Sequence, residues 1–284
     1  NGDILNWLFA NDSITTVKMD GSPAIVWGTN PENGKFFVGT KSVFNKKKIK
    51  ICYTLEDIVE IYSEQEALIE VLVNCLYYLP RTEGVFQGDF IGFSGFHTYT
   101  PNTITYVFDR VIGEDIIVAP HTIYHGDKMT EMEASPLPWD LASTEYCLFV
   151  KPMVDMLPFN KAVHADDIFA FFDSKDIKFL KEKEAVEVKK IINQFIREGK
   201  DISFDMLELI LGNHELACLY RCVEMMKLQM ISSMKIYNGP LAFIRDQEIV
   251  AEGFVRTNEF GTFKLVNRYE FSKANFISGR YQKA

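Results

Sequence analysis

The sequence predicts an α+β fold. Three observations carry that reading. β-branched and aromatic runs separated by turn residues occupy 14–53 and 85–108, apolar residues recur at three- and four-residue spacing across 164–237, and strand patterning returns at 249–266. Two strand-rich segments thus flank a helical block. With 284 residues and 47% hydrophobic content, the chain is long enough for one large domain or two small ones around a sizeable core.

Taken in order, 14–17 and 24–28 read as strands, 30–34 as a turn and 35–39 as the returning strand. Thr54 is placed to cap one helix over 55–79, which Pro80 stops. Strands resume at 85–91 and 103–108, and a proline-rich, loop-rich stretch follows over 120–161. Within the helical block Phe179, Ile191, Ile192, Phe195 and Ile196 share a face, and Ser203 is placed to cap a second long helix through Met234. Asn238, Gly239 and Pro240 close the block, and 249–255 and 262–266 read as strands. The expected division is one domain made of 1–160 and 238–284, with 161–237 as a helical insertion.

Composition narrows the function classes. No run of eighteen apolar residues occurs, so no membrane span is expected. The first residues lack a basic segment and a long apolar one, so no signal peptide is expected either. Five cysteines without a Cys-x-x-Cys pair point to reduced thiols and a cytoplasmic setting, the host cytoplasm if the source is viral. The net charge of −9 does not favour nucleic acid, but local patches rather than the total govern phosphate contact.

The most informative residues are Lys18-Met19-Asp20-Gly21, set between two apolar stretches. A lysine that attacks phosphorus must be neutral, a state favoured by burial and cationic neighbours. Asp20 would share a strand face with Lys18 if the strand continued. Gly21 would permit a tight turn. Alone, this tetrapeptide also fits a surface turn after a strand.

Its downstream companions make the pattern specific. After 18–21, and in order on predicted strands, come 39–42 with Lys41, 86–90 with Asp89, 106–109 with Phe108, 252–255 with Glu252 and 263–266 with Lys264. This series resembles the covalent nucleotidyltransferase superfamily of ATP-dependent DNA ligases, RNA ligases and mRNA capping enzymes. The first family motif, Lys-x-Asp-Gly, matches 18–21. Gly39-Thr40-Lys41-Ser42 stands in the place of the next, basic motif. Phe86-Gln87-Gly88-Asp89-Phe90 matches the third, with Asp89 for Glu. Tyr106-Val107-Phe108-Asp109 matches the strand whose aromatic ring stacks on the purine, Glu252-Gly253-Phe254-Val255 matches the fourth, and Phe263-Lys264-Leu265-Val266 matches the fifth except at its end. The resemblance implies two antiparallel β-sheets around a nucleotide cleft, with a helical insertion. It implies Lys18 as the residue that takes the nucleotide, and Glu252 and Asp89 as acids for Mg²⁺ (or Mn²⁺) or ribose. Lys264 would contact the α-phosphate, Lys41 the nucleotide, and Phe108 the purine. Asp20 would orient the lysine or the ribose.

Within the superfamily the chain is most similar to phage-type RNA ligases, because Ser22 follows Gly21 and no OB-fold region follows the last motif. The expected activity is ATP-dependent transfer of AMP through a lysyl-AMP to a nucleic-acid end, RNA before DNA. DNA ligase, capping-type guanylyltransferase and a non-catalytic nucleotide binder are the alternatives. A separate domain or protein is one way of supplying the OB-fold role. Val266 stands where the family has a second lysine, with Arg268 or Lys41 as candidates to compensate.

Other clusters read more plainly. His214, Cys218 and Cys222 lie at four-residue steps on a predicted helix, and eight residues of helix rise about 12 Å, too far for one ion. They are read as packing, as are Met225, Met226, Met230 and Met234. Lys46, Lys47, Lys48 and Lys50 read first as a solvated loop, with phosphate contact kept open by their closeness to Lys41. Asp166 and Asp167 after His164 read as charging a helix start, and Asp201 and Asp205 lack the remainder of a calcium loop.

Overall fold

A computed structural model describes residues 7–8, 10, 12–157, 172 and 177–268. His164, Asp166 and Asp167 lie outside the described residues. The protein is mixed α+β, with antiparallel sheets and helices. Among the described residues no helix is long and apolar enough to cross a membrane.

In chain order, β1 (Ile14–Lys18), β2 (Ala24–Thr29) and β3 (Phe36–Gly39) come first, followed by a 3₁₀ turn at Lys41–Phe44. The turn between β2 and β3 is built by Asn30, whose Oδ1 accepts from the Glu32 N–H at 2.9 Å. Helices α1 (Leu55–Ile61) and α2 (Glu66–Tyr78) replace the single helix expected over 55–79. Thr54 caps α1 as expected, in a reciprocal box with Asp57. The helix then breaks at Tyr62, which leaves helical backbone while its ring is buried in the core.

Next come β4 (Val85–Phe93), β5 (Thr98–Tyr99), β6 (Thr105–Val107), β7 (Ile116–His125), β8 (Glu133–Pro136), β9 (Cys147–Phe149) and β10 (Met153–Met156). The stretch over 120–161, expected as loops, therefore carries strands. Its prolines misled because Pro120 sits at a bulge and Pro136 ends a strand, the places where a missing N–H is tolerated. Helices α3 (Glu182–Arg197), α4 (Phe204–Leu211) and α5 (His214–Ser233) follow. Ser203 does cap a helix, but Gly212 ends it in left-handed backbone at φ 64, and Asn213 caps a new one by accepting from the Leu216 N–H at 2.7 Å. Last are β11 (Met234–Tyr237), β12 (Leu241–Ile244), β13 (Gln247–Ile249), β14 (Gly253–Asn258) and β15 (Gly261–Leu265), so the strand expected over 249–255 starts only at Gly253.

The chain forms two compact units: one of Asn1–Lys18, Val154–Ile236 and Glu252–Ala284, the other of Met19–Met153 and Tyr237–Ala251. The helical block is thus not a unit by itself. In the first unit, sheet β1-β14-β15 turns Val17, Phe254 and Leu265 toward Ile192, Leu207, Leu219 and Met230 of the helices. Neither layer could bury its apolar face alone.

In the second unit, the sheet runs β3-β2-β4-β7-β8, with β9 added parallel to β7. One face, bearing Ile25, Trp27, Phe86 and Val118, packs with Ile58, Leu72 and Cys75 of α1 and α2. The opposite face bears Val26, Phe37 and Val85, covered by Val43 of the 3₁₀ turn and by Met129. A smaller sheet, β13-β12-β6-β5, completes this unit.

Candidate functional site

In the first unit, strand register decides which residues meet. Thr16, Val255 and Lys264 form one cross-strand row, and Lys18 pairs with Gly253 in the next row on the same face. The core takes the other face, through Val17, Phe254 and Leu265. Lys18 and Lys264 therefore project from one face, their backbones roughly 12 Å apart by strand spacing and rise. Lys264 is exposed, and among the described residues no acid pairs with it.

Glu252 immediately precedes β14, so the pairing of Lys18 with Gly253 brings its carboxylate to the end of β1. The Lys18 Nζ donates to Glu252 Oε2. Glu252 is 8% exposed, and a carboxylate so buried requires a charged partner. Gly253 cannot be replaced. Its φ is +155°, and a Cβ would lie 2.3 Å from the Leu265 carbonyl oxygen and 2.8 Å from Val266 Cγ2. Val266 thus packs over Gly253 in the row of Lys18, where the fifth motif has its second lysine. Arg268 does not fill that place, because its guanidinium donates to Asn193 Oδ1 of α3.

In the second unit, β1 having ended at Lys18, Asp20 lies outside any strand, and the expected shared strand face does not form. Its backbone N–H donates to the Tyr106 hydroxyl at 2.5 Å. Its carboxylate accepts from Asn102 Nδ2 at 2.6 Å, the Thr103 N–H at 2.8 Å and the Ile104 N–H at 3.1 Å. Asp20 is 6% exposed, so its observed work is to fix the segment entering β6. Gly21 is required by space, since its φ lies outside the left-handed region. A Cβ there would sit 2.6 Å from Asp89 Cβ and 2.7 Å from the Phe90 carbonyl oxygen. That close approach lets the Ser22 N–H donate to the Phe90 carbonyl at 2.9 Å, which docks the first motif on β4.

Asp89 pairs with Ala119 on β7 and lies on the face opposite α1 and α2. Pro120 pairs with Gly88 and Thr122 with Gln87, leaving His121 as the extra residue of a bulge. The bulge aims the His121 ring at Asp89, with Nε2 3.8 Å from Oδ2. His121 is not among the residues that the motifs single out. The available signal was Pro-His inside an apolar strand, which marks a bulge. Phe108 lies just beyond β6. Its N–H donates to the His97 carbonyl at 2.8 Å, and its ring meets Tyr99 edge-on at 5.7 Å. Lys41 is exposed at the start of the 3₁₀ turn, which Thr40 caps.

Other groups are quieter. His214 pairs with Glu208 at 3.0 Å and lies 3.6 Å from the Cys218 sulfur. Among the described residues no group of three or more His, Cys, Asp or Glu forms a metal cage. A cavity of about 320 Å³ in the first unit is lined mainly by apolar side chains, among them Phe179, Ile196, Leu216 and Leu219. Burial and the nearby Arg268 hold the amine of Lys227, on its wall, below the ordinary lysine value against the opposing pull of Glu224.

Fold and site define an α+β protein with a part-buried lysine paired to a buried glutamate on one sheet, and an aspartate packed against a glycine on another. The chain belongs to DUF6267, a family of unknown function whose model matches residues 4–210 and 206–280. No curated protein and no solved structure matches it.

Proposed function

We propose that this protein is an ATP-dependent nucleotidyltransferase that forms a lysyl-AMP on Lys18 and passes the AMP to a nucleic-acid end, RNA in preference to DNA. The observation that carries the reading is the pairing of Lys18 with Glu252 on the sheet face that also presents Lys264. The ligase nucleotidyltransferase fold and a cytoplasmic setting are parts of the same proposal.

The Lys18 amine attacks the α-phosphorus, an N–P bond forms, and the bond to the bridging oxygen breaks. Pyrophosphate leaves with the electron pair. Glu252, already bonded to Nζ, is placed to take the proton that the amine must lose. Lys264 supplies positive charge to the α-phosphate as charge develops. Glu252 or Asp89 would hold a Mg²⁺ or Mn²⁺ ion, which would supply positive charge to the triphosphate and leaving group. The donors present fit such an ion, since Mg²⁺ is commonly held by one or two carboxylates together with substrate phosphates. Glu252 is the candidate in the first unit and Asp89 in the second. Within the second unit, the resemblance assigns Asp89 to ribose or metal, Phe108 to the purine and Lys41 to the nucleotide. In the second half-reaction AMP passes to a 5′-phosphate, and a 3′-hydroxyl displaces it to join the strands.

The test is to incubate the protein with α-³²P-labelled ATP or GTP and Mg²⁺, denature it, and look for label on the chain. An acid-labile adduct with ATP that disappears in Lys18→Ala is expected. An adduct with GTP alone would favour a capping-type reaction, and nucleotide binding without any adduct would falsify the transferase reading. Val266 favours a second reading, a nucleotide binder that does not complete transfer, because it leaves the row of Lys18 with one cation fewer than the fifth motif.

A further inference from the structure

We infer that the lysine-rich loop 46–50 is a contact surface for the phosphate backbone of a single-stranded polynucleotide. The inference rests on the proposed nucleotidyl transfer to a nucleic-acid end and names where the acceptor strand is held. The chain as a whole is acidic, with 39 Asp and Glu against 30 Lys and Arg, yet 41–50 contains five lysines and no acid. Lys46, Lys47 and Lys48 are exposed, and no acid among the described residues pairs with them. The Lys50 amine lies 5.0 Å from the centre of the Tyr62 ring. Like charges so concentrated repel one another, and that repulsion is relieved when a polyanion displaces their counterions.

The loop is held at both ends. Val43 is buried with Val26, Phe37 and Val85, the Lys50 N–H donates to the Ser42 carbonyl at 3.2 Å, and Cys52 bridges to Val38. A pinned loop loses less freedom on binding than a free tail. Its anchor, Val43, packs on the face of β4 that carries Val85 and, two pleats on, Asp89. The loop is thus anchored on the sheet face that also carries Asp89. A lipid surface fits less well, because Ile49 is the single exposed large apolar side chain of the run and provides no face to insert.

The probe is a fluorescein-labelled, 5′-phosphorylated single-stranded RNA of roughly 20 nucleotides, titrated with the full chain from about 50 to about 200 mM NaCl by anisotropy. The Lys46→Gln/Lys47→Gln/Lys48→Gln variant should bind at least tenfold more weakly at the low-salt end, with the slope of log affinity against log salt reduced by about 2. Its Lys18 labelling by free ATP should be unchanged, which also reports that the variant is folded. The single variant Lys47→Glu should weaken RNA binding in the same direction. Unchanged affinity and slope in both variants would overturn the inference while leaving Lys18 labelling intact. Loss of binding to phosphatidylserine vesicles, with no RNA binding by the parent protein, would overturn it in favour of a membrane surface. RNA binding lost in the variants of a protein that never labels at Lys18 would remove the transferase reading and retain the surface.

Discussion

Lys18 and Glu252, 234 positions apart in sequence, are joined by a hydrogen bond from amine to carboxylate at the paired ends of β1 and β14. Under the transferase reading the pair gives Glu252 two roles, charge partner to the lysine and acceptor of its proton, and Glu252→Gln removes both. Glu252→Gln keeps the shape and a hydrogen-bonding oxygen but removes the charge. We expect adduct formation to fall at least about 100-fold, with folding retained. Rates of ³²P incorporation, with circular dichroism alongside, check this.

Asp20 is expected to matter for stability as well as for activity. Asp20→Ala removes the acceptor of three hydrogen bonds, from Asn102, Thr103 and Ile104. The cost is about 3 kcal/mol. Urea unfolding would show a lower midpoint with an unchanged slope, whereas a purely functional aspartate would leave the midpoint alone.

Gly21→Ala tests the docking of the first motif on β4. The added methyl would lie within contact range of Asp89 Cβ, the Phe90 carbonyl oxygen and Ile91 Cδ1, two of them at under 3 Å. Displacing that backbone should cost about 1–3 kcal/mol and reduce adduct formation. Gly34→Ala is the control: its loop is open, although its φ of +69° carries a strain of its own. Comparing thermal midpoints and labelling of the two variants separates crowding at Asp89 from general glycine loss.

Val266→Lys adds, in the row of Lys18 and Gly253, the second cation that the resemblance would place there. Under the transferase reading the labelling rate rises several-fold, because developing negative charge gains a partner. If the parent binds nucleotide without forming an adduct and the variant forms one, the non-catalytic reading describes the natural chain.

The thiols report on the core. Burial pushes Cys52 and Cys147 up to about 12 and holds Cys75 well above the ordinary thiol range. The reactive species is the thiolate, so these three should resist iodoacetamide at pH 8 in the folded protein. Intact-mass measurement should find at most two alkylated sites, Cys218 and Cys222, before denaturation and all five after it.

Much of the local structure was legible because its signals are local. The strand at 14–17, the Thr54 cap, the stop at Pro80 and the return of strands after Pro240 each follow from a few neighbouring residues. Where the reading failed, a distant partner or a single backbone angle intervened. Tyr62 breaks a helix to bury its ring, and Gly212 splits what reads as one amphipathic run. Pro120 looks like a loop residue until the bulge on β7 accommodates it. The grouping of the helical block with 1–18 and 252–284 was illegible for a related reason: it depends on the apolar face of a sheet whose strands come from opposite ends of the chain.

The sequence by itself determined the α+β class and the residue types available for chemistry: Lys18, Asp20, Asp89, Phe108, Glu252 and Lys264. Tertiary structure alone decided which of them meet. It paired Lys18 with Glu252, set Lys264 on the same sheet face and placed Val266 over Gly253. It also turned Asp20 into a backbone anchor and brought His121 to Asp89. The physical reason is that strand register and bulges fix side-chain direction, and register is settled by packing between segments hundreds of residues apart.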